Sequence, residues 1–101
     1  MKITDKKLID MGFTYEATAE YFFYYKDRDK LSFTIRGNFK GMEIDLGGEL
    51  YITLKDWSRF HFITNNPYTI AIYRGSNLKL GDLNRLIKIM FKYGNYLHIQ
   101  K

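Results

Sequence analysis

Hydrophobic and polar side chains alternate through the middle of the chain. In residues 31–36 (LSFTIR) every second side chain is apolar, which is the pattern of a strand buried on one face. The same alternation continues through residues 42–46 and 50–54. Together with three segments rich in aromatic and β-branched residues, it predicts about six strands; those segments are 21–25 (YFFYY), 59–64 (RFHFIT) and 68–74 (YTIAIYR).

Turn-forming residues separate the predicted strands. The charged residues 26–30 (KDRDK) are expected to form a hairpin loop, and Asn65-Asn66-Pro67 is a strong turn signal. Between 42–46 and 50–54, only a three-residue loop at 47–49 places both apolar sets on one face. This loop pairs Leu46 with Leu50, Ile44 with Ile52 and Met42 with Leu54. In 59–64, we expect Phe60 and Phe62 to face the core.

Two segments have the spacing of helices instead. Near the N-terminus, Thr4 is a suitable N-cap, and Gly12 followed by Phe13 is suited to the C-terminal end. Later in the chain one apolar stripe at helical spacing consists of Leu80, Leu83, Leu86, Ile87, Met90 and Phe91. Gly94 is expected to end this second helix.

The order of these elements predicts one compact α+β domain over residues 1–101. Short connections between consecutive strands favour an antiparallel meander of about six strands. A short N-terminal helix precedes the sheet, and a longer amphipathic C-terminal helix is expected to pack on it.

The aromatic run 21–25 is the most informative local feature. If its odd-numbered residues share a face with the apolar residues of 31–36, Phe22 and Tyr24 project from the other face, and the alternative register reverses the two sets. The second face is then covered by the N-terminal helix or a loop, by a protein or second copy of the chain, or by stacked bases. We expect a protein partner or homodimer there, with Phe22, Tyr24 and Tyr51 as candidate contact residues.

Charge adds an alternative function. The net charge is +5, and residues 51–101 hold eight Lys and Arg against two Asp and Glu, whereas residues 1–50 hold eight against nine. This asymmetry is compatible with an anionic partner. A nucleic-acid-binding module would use Arg36, Arg59, His61 and Arg74, of which Arg36, Arg59 and His61 alternate outward with the aromatic residues of their strands.

No arrangement of residues points to catalysis. The chain has no Cys and two His, and no nucleophile occurs with a base and an orienting group. Glu43, Asp45 and Glu49 are close in sequence, but they lack the spacing of a calcium-binding loop. We expect no enzyme, no cofactor and no metal site. Charges near the N-terminus and the lack of a long apolar segment favour a cytoplasmic protein without a membrane partner.

The segments LIDMGF (8–13) and LGDLNRLIKIMFKYG (80–94), with an aromatic hairpin between them, resemble short uncharacterised proteins of bacteriophages and other mobile elements. The resemblance implies an accessory protein that acts by binding, such as an inhibitor of a host or defence factor. The two segments form the core in this interpretation, so the resemblance assigns no site residue.

Overall fold

The computed structural model describes residues 1–99, with the side chains of residues 1–92, and contains one antiparallel sheet and two helices. The elements are α1 (Asp5–Asp10), β1 (Thr14–Ala17), β2 (Tyr21–Arg28), β3 (Leu31–Lys40), β4 (Glu43–Ile44), β5 (Leu50–His61), β6 (Asn66–Gly75) and α2 (Leu80–Ile99). The strands lie in the order β1-β2-β3-β5-β6, and β4 pairs with the end of β3. The predicted fold class is confirmed.

Both helices pack on the same face of the sheet, the inner face. The core there contains the buried strand residues Phe22, Tyr24, Phe33, Ile35, Leu50 and Ile52, together with Ile3 and Phe13, Leu8 from α1, and Leu83 and Ile87 from α2. Successive strand residues point to opposite faces, so the side chains between these apolar residues form a second, outer face. None of the described residues outside the sheet lines the cleft on this outer face.

The N-terminal helix begins and ends as predicted. The Thr4 hydroxyl accepts a hydrogen bond from the Lys7 N–H (3.2 Å), which satisfies one of the free donors of the first turn. At the other end, Gly12 has φ of 92° and the Phe13 N–H donates to the Leu8 carbonyl. This closure buries Phe13 in the core.

In α2 the predicted apolar stripe faces the sheet. Leu83 and Ile87 are buried, and the other four members of the stripe pack against the core. The helix does not end at Gly94, as predicted, but continues to Ile99. A glycine inside a helix costs about 1 kcal/mol relative to alanine, which a helix of this length tolerates.

The predicted hairpin between 42–46 and 50–54 is wrong. β3 is longer than predicted and pairs directly with β5, placing Ile35 opposite Ile52 and Phe33 opposite Leu54. This ladder also keeps the apolar residues on one face, and it is longer than a five-residue hairpin. The 42–46 segment forms only the two-residue β4, and Met42 is 99 % exposed.

A bulge in β5 changes which side chains face the core. Asp56 pairs with Tyr68 and the next pair is Phe60 with Pro67, so three residues of β5 are inserted between consecutive pairs. Because three is an odd number, the alternation reverses beyond the bulge. The prediction that Phe60 and Phe62 face the core is therefore wrong: Phe60 is half exposed and Phe62 fully exposed. The strand predicted at 59–64 is the end of β5 and the turn after it.

Candidate functional site: the outer face of the sheet

The outer face carries five aromatic side chains on β2 and β5. They are Tyr21, Phe23 and Tyr25 on β2, and Tyr51 and Trp57 on β5. Four are partly buried against their neighbours, and Trp57 is 46 % exposed. Between them lie the small side chains of Ser32, Thr34 and Thr53, which the surrounding rings bury.

The structure corrects two of the three candidate contact residues. Phe22 and Tyr24 are fully buried on the inner face, whereas Tyr51 lies on the outer face as predicted. The physical reason is the length of the β2–β3 turn. A five-residue loop would pair Tyr25 with Leu31, but the observed turn has two residues and pairs Arg28 with Leu31. The difference of three residues is odd, so it exchanges the two faces of β2.

Arg36 lies at the centre of the outer face and contacts two tyrosines. Its guanidinium carbon lies 4.7 Å from the centroid of the Tyr21 ring and 4.9 Å from that of Tyr51. The negative faces of aromatic rings attract a cation at such distances. These contacts join β2, β3 and β5 on the outer face and hold the two tyrosine rings in place.

A cleft of about 390 Å³ opens beside this cluster. Its lining comes entirely from strands of the sheet: Glu16, Phe23, Tyr25, Asp27, Ser32, Thr34, Lys55 and Trp57. The floor is polar and small, and the rim is aromatic and charged. The cleft is therefore large enough to receive a large side chain from a partner. The acidic and basic residues at its edge can pair with partner charges of either sign.

One wall of the cleft is fixed by a chain of hydrogen bonds. The Trp57 indole N–H donates to the Ser32 hydroxyl (2.7 Å), and that hydroxyl donates to the Asp27 carboxylate. The Trp57 backbone N–H also donates to the Lys30 carbonyl (2.8 Å). The bulge thus places the indole over the outer face and locks its orientation.

The four candidate nucleic-acid-binding residues do not form one surface. Arg36 and Arg74 lie on the outer face, where Arg74 Nε donates to Glu49 (2.8 Å) and this hydrogen bond raises the pKa of Arg74. Arg59 lines a different cleft, shared with Phe91 of α2 on the inner side. The His61 ring stacks on Tyr68, 4.2 Å away, at the far end of the β5–β6 hairpin. The β5 bulge inserts an odd number of residues, so Arg59 and His61 do not share the face that holds Arg36. The predicted outward stripe of Arg36, Arg59 and His61 is therefore wrong.

Across the described residues, no three His, Asp or Glu side chains lie close enough together to hold a metal ion. Glu43, Asp45 and Glu49 therefore form no such group. Within residues 1–99, no helix is long and apolar enough to cross a membrane.

Sequence reasoning did not single out Tyr21, Phe23, Tyr25 and Trp57. Gly37, which pairs with Phe22, could have indicated which residues of β2 face inward. A glycine inside a strand often marks a close approach. A Cβ at Gly37 would lie 2.2 Å from the Phe22 ring, so this glycine is what admits an inward aromatic opposite it.

The fold and the site define a two-layer α+β protein with one sheet face covered by helices and the other left as an aromatic surface. Comparisons with protein-family models, with curated proteins and with solved structures returned no match. Function is therefore inferred from the geometry of the outer face.

Proposed function

We propose that the protein is a non-catalytic binding protein that contacts another protein through the outer face of its sheet. The observation that carries this proposal is the set of five aromatic side chains on a sheet face that neither helix packs against. Aromatic residues are enriched in protein interfaces and dominate their binding energy. Partly exposed rings grouped on one face, with charged side chains around them, are typical of a contact site.

The size of the face supports a protein partner. Five strands spaced about 4.8 Å apart, with about eight residues each at about 3.3 Å per residue, give a face of roughly 600 Å². A standard protein interface takes about 800 Å² from each partner. The outer face with its rim is therefore large enough for a specific, reversible complex.

Charge favours a protein over a nucleic acid. Glu16 and Asp27 on this face balance Arg36 and Lys55, and Arg74 is paired with Glu49. Binding to nucleic acid depends on cations that neutralise phosphates, and here Arg36 already lies against two tyrosine rings and Arg74 beside Glu49. A balanced surface is suited to a partner with both signs of charge.

The resemblance to short phage and mobile-element proteins extends the proposal to a biological role. Such a role is that of an accessory protein that inhibits a host or defence factor by occupying its surface. An inhibitor of this kind needs no catalytic residues, only a rigid face that excludes other ligands.

A pull-down tests the proposed function. Tagged protein is incubated with native-host lysate that also contains the untagged chain, with and without nuclease. We expect protein capture that survives nuclease treatment and is lost when Phe23→Ser and Tyr51→Ser are combined.

Phe62→Ser is the matched control, because Phe62 is fully exposed in a turn away from the outer face. Capture that is unaffected by the paired substitution, or that disappears with nuclease, contradicts the proposal. Thermal melting of each variant checks that it is folded.

A further inference from the structure

We propose that the protein bound by the outer face is a second copy of this chain, so that two sheets pack face to face around a twofold axis. This inference rests on the proposed function and names the partner of the outer face as a second copy, in place of a host or defence factor. It is carried by the order of charged and aromatic side chains across the sheet.

The strand pairing arranges the outer face in rows that run across the strands. One row consists of Asp27, Ser32, Lys55 and Thr69, and a second consists of Glu16, Phe23, Arg36, Tyr51 and Arg74. In both rows the acid lies on β1 or β2, and bases lie toward β5 or β6. The first row is therefore negative toward β2 and positive toward β5. In the second row Glu16 lies at the β1 end, Arg36 lies near the centre, and Arg74 at the β6 end is paired with Glu49.

Rotation about a twofold axis that runs parallel to the strands and close to β3 reverses the order of the strands in the second copy. Each row keeps its position along the strand direction. It places β2 of one copy over β5 of the other. Asp27 then faces Lys55 of the second copy, and Glu16 faces Arg74 of the second copy. Arg74 already has Glu49 as its partner within each copy. The new acid–base contact is therefore Asp27 with Lys55, and it occurs twice, so the dimer gains two such pairs.

The sizes of the side chains also fit this arrangement. A third row consists of Thr14, Tyr25, Thr34, Thr53 and Ala71, so the twofold axis places Tyr25 over Thr53 of the second copy. Tyr25 thereby enters the cleft above the small residues of β3 and β5, and in the second row Phe23 faces the Tyr51 ring of the second copy. Packed sheets interdigitate in this way, with large side chains over small ones.

Two features limit the affinity. Both copies bring Arg36 close to the axis, which costs like-charge repulsion, although the Tyr21 and Tyr51 rings accept each guanidinium. The interface also buries roughly 1,200 Å² in total, at the lower end of stable interfaces. We therefore expect a dissociation constant on the order of micromolar.

Sedimentation equilibrium on wild type and two charge reversals tests the dimer. Asp27 and Lys55 lie on strands adjacent to β3, where sheet twist displaces the facing rows least. Asp27→Lys and Lys55→Asp each place like charges opposite one another in both halves of the interface. We expect each variant alone to dimerise at least about tenfold more weakly than wild type. A mixture of the two variants pairs the new lysine with the new aspartate, and we expect it to regain the dimer.

The controls are charge reversals away from the outer face. Asp10→Lys on α1 and Lys88→Asp on α2 change exposed residues and are expected to leave the dissociation constant unchanged. Recovery in the mixture also shows that Asp27→Lys, which removes the acceptor of the Ser32 hydroxyl, is still folded.

Two outcomes overturn the inference: wild type that stays monomeric up to ~200 μM, or variants whose mixture does not recover. A monomeric wild type that still captures a lysate protein through the outer face refutes only the second copy as partner. A monomeric wild type with no capture that depends on this face refutes the proposed function as well.

Discussion

At the scale of single residues, the contact between Gly37 and Phe22 controls the inner face of β2 and β3. A Cβ on Gly37 would lie 2.2, 2.7 and 2.9 Å from three atoms of the Phe22 ring. The ring is fully buried and cannot move away without displacing its neighbours. We expect Gly37→Ala to lower the free energy of unfolding by about 1–3 kcal/mol, as overpacking of a core does.

Urea unfolding of Gly37→Ala measures this cost, with Gly81→Ala as the matched control. Gly81 lies in the first turn of α2 with no atom near its added Cβ, so alanine there is expected to be neutral or slightly stabilising. Phe22→Leu should reduce the cost of Gly37→Ala, because leucine is smaller than the ring. Equal effects of Gly37→Ala in both backgrounds would contradict the close contact.

The Tyr24 phenol gives a prediction on pH. Its hydroxyl donates to the Asp5 carboxylate, and burial, followed by this hydrogen bond, raises the pKa of Tyr24 well above its usual value of 10.0. Above about pH 10 the unfolded chain releases the Tyr24 proton while the folded chain keeps it. The unfolded state then binds fewer protons, so the free energy of unfolding falls as pH rises, by about 1.4 kcal/mol per pH unit for this group.

Tyr24→Phe removes this proton and isolates its effect. At neutral pH the variant is expected to be about 1 kcal/mol less stable, because the hydrogen bond to Asp5 is lost. Above about pH 10 its free energy of unfolding should fall less steeply than that of wild type, by the same ~1.4 kcal/mol per pH unit. Unfolding curves between pH 7 and 11 on both proteins measure the difference, and parallel pH profiles would contradict it.

At the scale of elements, the β5 bulge explains why two phenylalanines with similar alternating neighbours in the sequence differ in burial. Phe33 is fully buried on β3, and Phe62 is fully exposed beyond the bulge. We expect Phe33→Ala to cost about 3–5 kcal/mol of unfolding free energy and Phe62→Ala less than about 0.5 kcal/mol. Thermal or urea unfolding of the pair measures this, and a large loss in Phe62→Ala would mean that the hairpin tip packs in the core.

The helices were predictable because their signals are local. The bounds and the buried face of a helix depend on residues within a few positions of each other, as with Thr4 and Gly12 around α1 and the apolar stripe of α2. The sequence alone therefore predicts where these helices lie. Strand pairing depends on the number of residues in turns and bulges. The two-residue β2–β3 turn and the three-residue insertion in β5 each shift the alternation by an odd number, which periodicity cannot detect. β1 was not predicted, since it carries no alternation and all four of its residues are exposed.

The candidate site was predictable in kind but not in its residues. The aromatic run required a set of rings on the second face, and the structure has one there. The choice between the odd and even residues of β2 depended on the turn length, so only Tyr51 was placed correctly among the three contact residues. Arg36 was expected outward from its own strand, yet its contacts with Tyr21 and Tyr51 require the register of three strands.

At the scale of the whole molecule, the layers explain why one face of the sheet has no helix packed on it. A chain of 101 residues builds one core, and both helices are used to cover the inner face. The aromatic residues of the outer face are then left without a covering helix. If the proposed dimer forms, association through this face stabilises the folded state, because the folded chain binds a second copy and the unfolded chain does not.

The melting temperature is therefore predicted to depend on protein concentration. If two copies unfold together, each tenfold rise in concentration adds about 1.4 kcal/mol, which corresponds to about 3 °C for two chains of this size. Wild type should show this rise across the micromolar range, and Asp27→Lys alone should show a smaller one. The double variant with Lys55→Asp restores facing charges of opposite sign, so it should recover the wild-type slope. Scanning calorimetry at several concentrations measures these slopes, and a wild-type melting temperature that is independent of concentration would mean that the chain unfolds as a monomer.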